Sequence, residues 1–378
     1  MGLRFIHFSD THLGFSDLDE LDEKGKNVRE EDIYKAFSVI VDEIVERKPD
    51  FVIHSGDIFH RSSPSNRALV KASELIQRIS DAGIPFYIIA GNHDFPKAVS
   101  TTPIHDLYKG RTRIFSSEAY EIIETEDYII HALPHINSDE KFRQEASKIE
   151  VRTKSKPNIL VMHLSMPNYL MNEFGERVFP EEYREKIKDF DYVALGHWHS
   201  YHNLTKYGNV FYSGSTEMIS DKDSSKPKGF IEVTIDGKLT ADFIPIKTRL
   251  YKTIVIKDCY TKEKGKIIEE IKAESAGIET VGAVIYLQLI DLTQAQFYEF
   301  SQTECGELFG GSLYFCLIRK IKGNDESYES DSATFDLKGM LEDELKKNFS
   351  ADAKGVEIVE IAMKLLSEIE EEEVRSAD

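Results

Sequence analysis

Five short stretches of the chain place metal-type ligands beside glycine or at the end of an apolar run. They are Asp10 and His12 in SDTHLG, Asp57 in SGDIFH, Asn92 and His93 in GNHD, His163 in VMHLS, and His197 and His199 in GHWH. Carboxylates, amides and imidazoles together suit manganese, iron, zinc or cobalt, whereas magnesium and calcium prefer shells of oxygen alone. Two such ions about 3.5–4 Å apart can clamp a phosphate oxygen on each side of an in-line displacement. A pair of ions needs one shared carboxylate. Asp57 is the natural bridge, because its stretch lies between the other two early ones. Gly14, Gly56, Gly91 and Gly196 beside the ligands permit the tight turns that bring backbone close to ions. The His197-x-His199 spacing predicts an extended backbone with both imidazoles on one side.

Each stretch alone has a plainer explanation. Asp-x-His recurs by chance, and Gly-Asn is a turn signal that would leave His93 at the surface. The weight comes from all five occurring together, each after a strand-like run. The remaining histidines read as structural. His7 and His54 lie inside apolar strands, and His105, His131 and His202 read as structural or exposed. His135, near the end of a hairpin, reads first as structural, with an approach to substrate as the alternative. Trp198, between two ligands, is expected to point away from them.

The elements that must position these residues alternate in type. LRFIHFSD (3–10), FVIHSGD (51–57) and PFYIIAGNHD (85–94) read as strands. Between them, 28–50 and 66–83 read as amphipathic helices, with Ile33, Phe37, Ile40, Val41 and Ile44 at helical spacing in the first. A β-α-β-α-β order with nearly continuous apolar strands predicts a parallel sheet covered by helices, with ligands at the carboxyl ends of its strands. Beyond residue 100 a hairpin (120–135) and strands at 158–165, 192–199, 209–216 and 230–246 predict a second, mixed sheet. Two facing sheets with helices outside make an α/β sandwich. From 251 to 322 a small αβ module follows, then an acidic linker over 323–334. Two helical stretches occupy 335–378, the second with Ile358, Ala362, Leu365 and Ile369 on one side.

Composition narrows the function classes. The chain has 378 residues and a net charge of −20, with more than half of the excess acid after residue 250. That balance suits no generic nucleic-acid binder, so ions or a partner must help with phosphates. All 12 histidines fall between His7 and His202, which confines the metal chemistry to the first half. Cys259, Cys305 and Cys316 lack metal-ligand spacing and read as packed thiols. Arg4, His7, Ser9 and Asp10 interrupt the first apolar segment, and no run is long enough to span a bilayer, so a cytoplasmic protein without a membrane partner is expected.

The ordered set resembles the calcineurin-like metallophosphoesterases, whose pattern is D-x-H, G-D, G-N-H-D/E, H and G-H-x-H. FSDTHLG (8–14), HSGDIFH (54–60), GNHD (91–94), ALGHWH (194–199) and YSGSTE (212–217) are similar to one branch, the SbcD and Mre-eleven-type double-strand-break-repair nucleases. The resemblance implies a four-layer α/β sandwich over 1–250, a small α/β DNA-binding cap over 251–322 and a helical tail over 335–378. It implies one metal site from Asp10, His12, Asp57 and His199, and a second from Asp57, Asn92, His163 and His197. His93 would be the catalytic acid and His60 its helper. Two divalent ions, manganese favoured, would support 3′→5′ exonuclease activity on duplex DNA and endonuclease activity on single strands. The implied partners are DNA, a second copy of the chain, and an SbcC or Rad-fifty-type coiled-coil ABC ATPase docked on the C-terminal helices; a prokaryotic member would sit with the nucleoid. Three alternatives stay open. One is a phosphoprotein phosphatase, which His60 argues against because that group has aspartate there. Another is a cyclic-nucleotide phosphodiesterase, which shares the ligand set. The third is a scaffold whose partner does the chemistry.

Overall fold

The computed structural model describes residues 2–96, 101–171, 176–220 and 226–323, and the backbone of 328–329. The expected helices within 335–378 and most of the expected linker lie outside the described residues. The chain divides into two compact units, residues 1–252 with 282–284, and residues 253–281 with those from 285 onward.

The first unit opens with β1 (Leu3–Phe8), α1 (Val28–Arg47), β2 (Phe51–His54), α2 (Asn66–Asp81), β3 (Phe86–Ile89) and β4 (Arg113–Phe115). Asn27 caps α1 by accepting from the Glu30 N–H, and Ser65 caps α2 by accepting from Ala68 N–H. Strands β1 to β4 run parallel; β11 (Gly229–Ile235) pairs antiparallel with β1, and β12 (Leu239–Pro245) antiparallel with β11, in the order β12-β11-β1-β2-β3-β4. The second sheet is built from β5 (Glu121–Glu124), β6 (Ile129–Leu133), β7 (Asn158–His163), β8 (Tyr192–Gly196), β9 (His202–Asn203) and β10 (Val210–Tyr212), in the order β5-β6-β7-β8-β10-β9. Helices α3 (Asp139–Ala146) and α4 (Arg184–Ile187) are its helical partners.

Side-chain alternation along the strands produces the layers. Phe5 on β1 and Ile53 on β2 enter one core with Ile159 and Val161 of β7 and Tyr192 of β8. Their neighbours Ile6 and Val52 turn the other way, onto Phe37, Ile40 and Ile44 of α1 and Leu75 and Ile79 of α2. Leu160 and Met162 face outward from β7 onto Phe142 of α3 and Ile187 of α4. The unit is therefore four layers, helix, sheet, sheet, helix, with strands buried on both faces, which is why they read as continuous apolar runs.

The second unit carries β13 (Tyr251–Ile256), α5 (Lys264–Ser275), β14 (Val284–Leu292), α6 (Gln294–Glu299), α7 (Gln302–Gly306), β15 (Tyr314–Ile321) and the short β16 (Tyr328–Glu329), with the strands in sequence order in one sheet. Ile267 and Ile271 of α5 are fully buried, as are Leu287, Leu289 and Leu317 of the sheet. Thr293 and Gln296 form a reciprocal capping box at the start of α6. All three cysteines are buried and free.

Candidate metal centre

Strands β1, β2, β3 and β8 stop sooner than the apolar runs suggest. Positive φ angles at Asp10 (51°), His12 (49°), Asp57 (57°) and His197 (96°), with Gly56 at 105°, turn the backbone out of the sheet just where the polar residues begin. Left-handed backbone at non-glycine residues is costly and clusters at functional sites. The turns are held by a ladder: Asp10 N–H donates to Gly56 O at 3.0 Å, His12 N–H to Asp57 O at 3.0 Å and Leu13 N–H to Ile58 O at 2.9 Å. The loops after β1 and β2 thus run side by side. The bend at His197 also corrects the expectation for His197-x-His199. The backbone there is not extended, and the two imidazoles diverge. His199 Nε2 lies 3.3 Å from His12 Nε2, while His197 Nδ1 lies 3.2 Å from Asn92 Oδ1.

The seven ligand candidates come together. Asp10, His12 and His199 offer one atom each within 4.8 Å of one another, and so do Asp10, Asp57 and His163. Asp57 Oδ2 is 3.2 Å from His163 Nε2 and 4.0 Å from His12 Nε2, so it lies between the two groups. Asn92 Oδ1 is 2.9 Å from His163 Nε2. His93 stands beside this cluster, half-buried. Its backbone N–H donates to Asp57 Oδ1 at 2.9 Å, its Nδ1 lies 3.2 Å from His60 O, and its ring is 4.9 Å from that of His12. His60 Nδ1 is 3.4 Å from His12 Nδ1.

The space is set by glycine. A Cβ on Gly91 would sit 2.0 Å from Asp57 Oδ1, one on Gly56 2.2 Å from His163 Nδ1, and one on Gly196 2.2 Å from Ser55 O. The two sheets close on each other here, and only hydrogen fits.

The electrostatics fit cations. Asp10 and Asp57 are buried, and among the described residues no lysine or arginine pairs with either. Burial pushes the Asp10 carboxyl up, with His163 and His199 partly offsetting it. Burial also opposes ionisation of Asp57, but His163, His93 and His12 outweigh it and hold that carboxyl well below its usual range. The His163 imidazole is pulled down by burial and then carried to about 10 by Asp57. Where an imidazolium balances a carboxylate, as His163 does Asp57, a divalent cation can displace the proton. The donor set of two carboxylates, one amide and four imidazoles suits manganese, iron, zinc or cobalt.

The fold and the donor set have counterparts among known proteins. The calcineurin-like phosphoesterase family model matches residues 3–201, just over half of the chain. The DNA double-strand break repair protein Mre11 of Methanocaldococcus jannaschii is 30% identical over 269 residues, which cover 68% of this chain and 70% of that protein. The chain belongs to the Mre11 family of calcineurin-like phosphoesterases. Mre11 of Methanococcus maripaludis is 32% identical over 256 residues, 64% of each chain, and Mre11 of Saccharolobus solfataricus is 32% identical over 225 residues, 58% of this chain and 56% of that one. The chain thus spans a little over half to about two thirds of these relatives. No helix among the described residues is long and apolar enough to cross a membrane.

Around the centre of this Mre11-family chain, Asp94 orients its neighbours, and further residues do work that the motifs did not assign. Asp94 Oδ2 accepts from Ile58 N–H at 2.7 Å and Phe59 N–H at 3.2 Å, and its Oδ1 accepts from Gly91 N–H at 2.8 Å, locking two ligand loops together. His105 Nε2 lies 3.1 Å from Asp94 Oδ2, which gives that buried histidine a structural place. Ser9 Oγ donates to Asp10 Oδ2 at 2.5 Å, Ser55 O faces His163 Nδ1 at 2.9 Å, and buried Lys228 donates to His199 O at 2.6 Å. Glu176 Oε1 lies 3.3 Å from His197 Nε2. Ser9, Ser55 and Asp94 lie inside the motifs, and Asp94 is the one of them expected from sequence to orient its neighbours; Glu176 and Lys228 carry no local signal. His7, bonded to Tyr192 Oη at 2.9 Å and Ser55 Oγ at 2.8 Å, and His54, 2.9 Å from Thr11 Oγ1, are packed beneath the site. His131 sits between Tyr120 Oη and Asn158 Oδ1. Trp198 packs on Tyr169 and His202.

Proposed function

We propose that this chain hydrolyses DNA phosphodiester bonds at a pair of divalent cations and so trims DNA ends in double-strand-break repair. The observation that carries the reading is the convergence of seven oxygen and nitrogen donors from both sheets, with His93 beside them. Asp10, His12, Asp57 and His199 would hold one ion, and Asp57, Asn92, His163 and His197 the other. When bound, the ions supply the activated water and neutralise charge that builds on the phosphate. The chain's own residues do the rest. Gly56, Gly91 and Gly196 keep the donors close, and Asp94 fixes the loop on which Asn92 and His93 sit. His93 Nδ1–H donates a hydrogen bond to the His60 carbonyl, 3.2 Å away, which orients the ring; the imidazolium form would give its Nε2 proton to the departing sugar oxygen and be left as the neutral ring. The preferred ion in this reading is manganese, and the reactions are 3′→5′ exonuclease on duplex and endonuclease on single strands.

The partners belong to the same proposal. The curated relatives are named as DNA double-strand break repair proteins, and a net charge of −20 leaves this chain a weak holder of DNA by itself. A coiled-coil ABC ATPase of the SbcC or Rad-fifty type, docked on residues 335–378, and a second copy of the chain would supply the grip. The setting is the cytoplasm, at the nucleoid in a prokaryote.

The test is cleavage of end-labelled duplex with Mn²⁺ or Mg²⁺, comparing the unsubstituted chain with His93→Gln. The substitution is expected to lower the rate by about 10²–10⁴ while Mn²⁺ binding, followed by calorimetry, persists. Cleavage that survives a chelator, or a His93→Gln chain as fast as its parent, would sink the reading.

A further inference from the structure

We propose that Glu176 is a positioning residue for one of the two ions: it holds His197 so that Nδ1 faces the cation. The inference rests on the metal-centre reading above. His197 presents its two nitrogens in different directions. Nδ1 is 3.2 Å from Asn92 Oδ1, inside the donor cluster, and Nε2 is 3.3 Å from Glu176 Oε1, outside it. An imidazole that gives the Nδ1 lone pair to a cation must carry its proton on Nε2. That proton points at the Glu176 carboxylate.

The carboxylate is itself held. Met171 N–H donates to the same Oε1 at 2.7 Å, and Ser165 Oγ donates to it as well. Ser165 follows His163 by two residues and is tied to the Glu176 segment through backbone, with Ser165 N–H on Arg177 O at 2.8 Å and Phe179 N–H on Ser165 O at 2.8 Å. The Glu176 side chain is only 10% exposed, so its charge is aimed at the ring and not screened by water. Two other ligand imidazoles meet neutral groups on their outer nitrogens: His163 Nδ1 faces Ser55 O, and His12 Nδ1 lies beside His60 Nδ1. A carboxylate on the far nitrogen fixes the tautomer and makes the ring a stronger donor, and losing such a partner costs metal affinity. The two ions should therefore differ in how far they depend on Glu176. The one held by His197 depends on Glu176, whose carboxylate meets no nitrogen of His12 or His163 among the contacts of those rings.

The experiment is a calorimetric titration of the chelator-stripped full-length chain with Mn²⁺. In Glu176→Ala, one of the two binding steps is expected to weaken by about 10–100-fold and the other to stay as it was. Glu176→Gln preserves shape and the acceptor oxygen without the charge, so it should fold like the parent and weaken the same step by a smaller factor. Two unchanged steps in both variants would overturn the proposal, and so would equal weakening of both steps, which would mark a general loosening of the loop. An unsubstituted chain that takes up no pair of ions would instead bring down the metal-centre reading, and this inference with it.

Discussion

Asp94 is fully buried and accepts three backbone N–H groups, from Ile58, Phe59 and Gly91. Asp94→Asn keeps the volume but turns one acceptor into a donor that faces N–H. It should lower stability by about 1–3 kcal/mol, read as a drop in the thermal midpoint, and loosen the loop that carries Asn92. Glu217 makes a different point at the same scale. Burial pushes its carboxyl up from 4.5 to about 7, and Arg29, 3.9 Å away, does not fully offset it. A raised acid is bound to its proton more tightly in the folded state. Its contribution to stability is therefore complete below about pH 4.5 and fades as pH rises toward 7. Glu217→Gln removes that loss. Arg29 still has Asp17 at 3.2 Å and Asp32 at 2.7 Å. The variant should gain on its parent between pH 5 and pH 8 by up to about 3 kcal/mol, seen in denaturant midpoints across that range. A constant difference at every pH would refute it.

Elements place these residues, and the decisive ones are the strand ends. At the ends of β2 and β8 the backbone of one sheet meets the side chains of the other at a distance that admits no Cβ. Gly196→Ala puts a methyl carbon 2.2 Å from Ser55 O and 2.8 Å from His163 Nδ1. Neither neighbour is a flexible side-chain tip, so the strand ends must part. The expected cost is about 1–3 kcal/mol in stability, with weakened Mn²⁺ binding measured on the same preparation. Much of this architecture was legible in the sequence. Ile33, Phe37, Ile40 and Ile44 repeat at helical spacing and bury on α1. Fully apolar strands such as Asn158–His163 read as they do because both faces are covered. The turn at His197 was not legible, because nothing in Gly-His-x-His announces a positive φ at a histidine. Glu176 was hidden for a related reason: its role depends on a loop folding back onto His197, and loop closure leaves no periodic trace.

At the scale of the molecule, charge and placement set the expectations. With −20 overall, the chain alone should bind duplex DNA weakly, and adding the proposed ATPase should tighten binding in an anisotropy titration. Deleting residues 333–378 should abolish the complex and leave metal-dependent cleavage of a small phosphodiester intact; loss of that cleavage would assign the tail to the catalytic body. The donor set has one more consequence. Asp10, His12, Asp57 and Asn92 follow strands of one sheet, while His163, His197 and His199 end or follow strands of the other. Cations seated there act as rivets through the sandwich. Prying the layers apart would mean giving up ions, and at 100 times the dissociation constant each such ion adds about 2.7 kcal/mol against opening. Amide hydrogen exchange around Ile53 and Val161, on opposite leaves, should therefore slow in step as Mn²⁺ is added and quicken in step when it is stripped away.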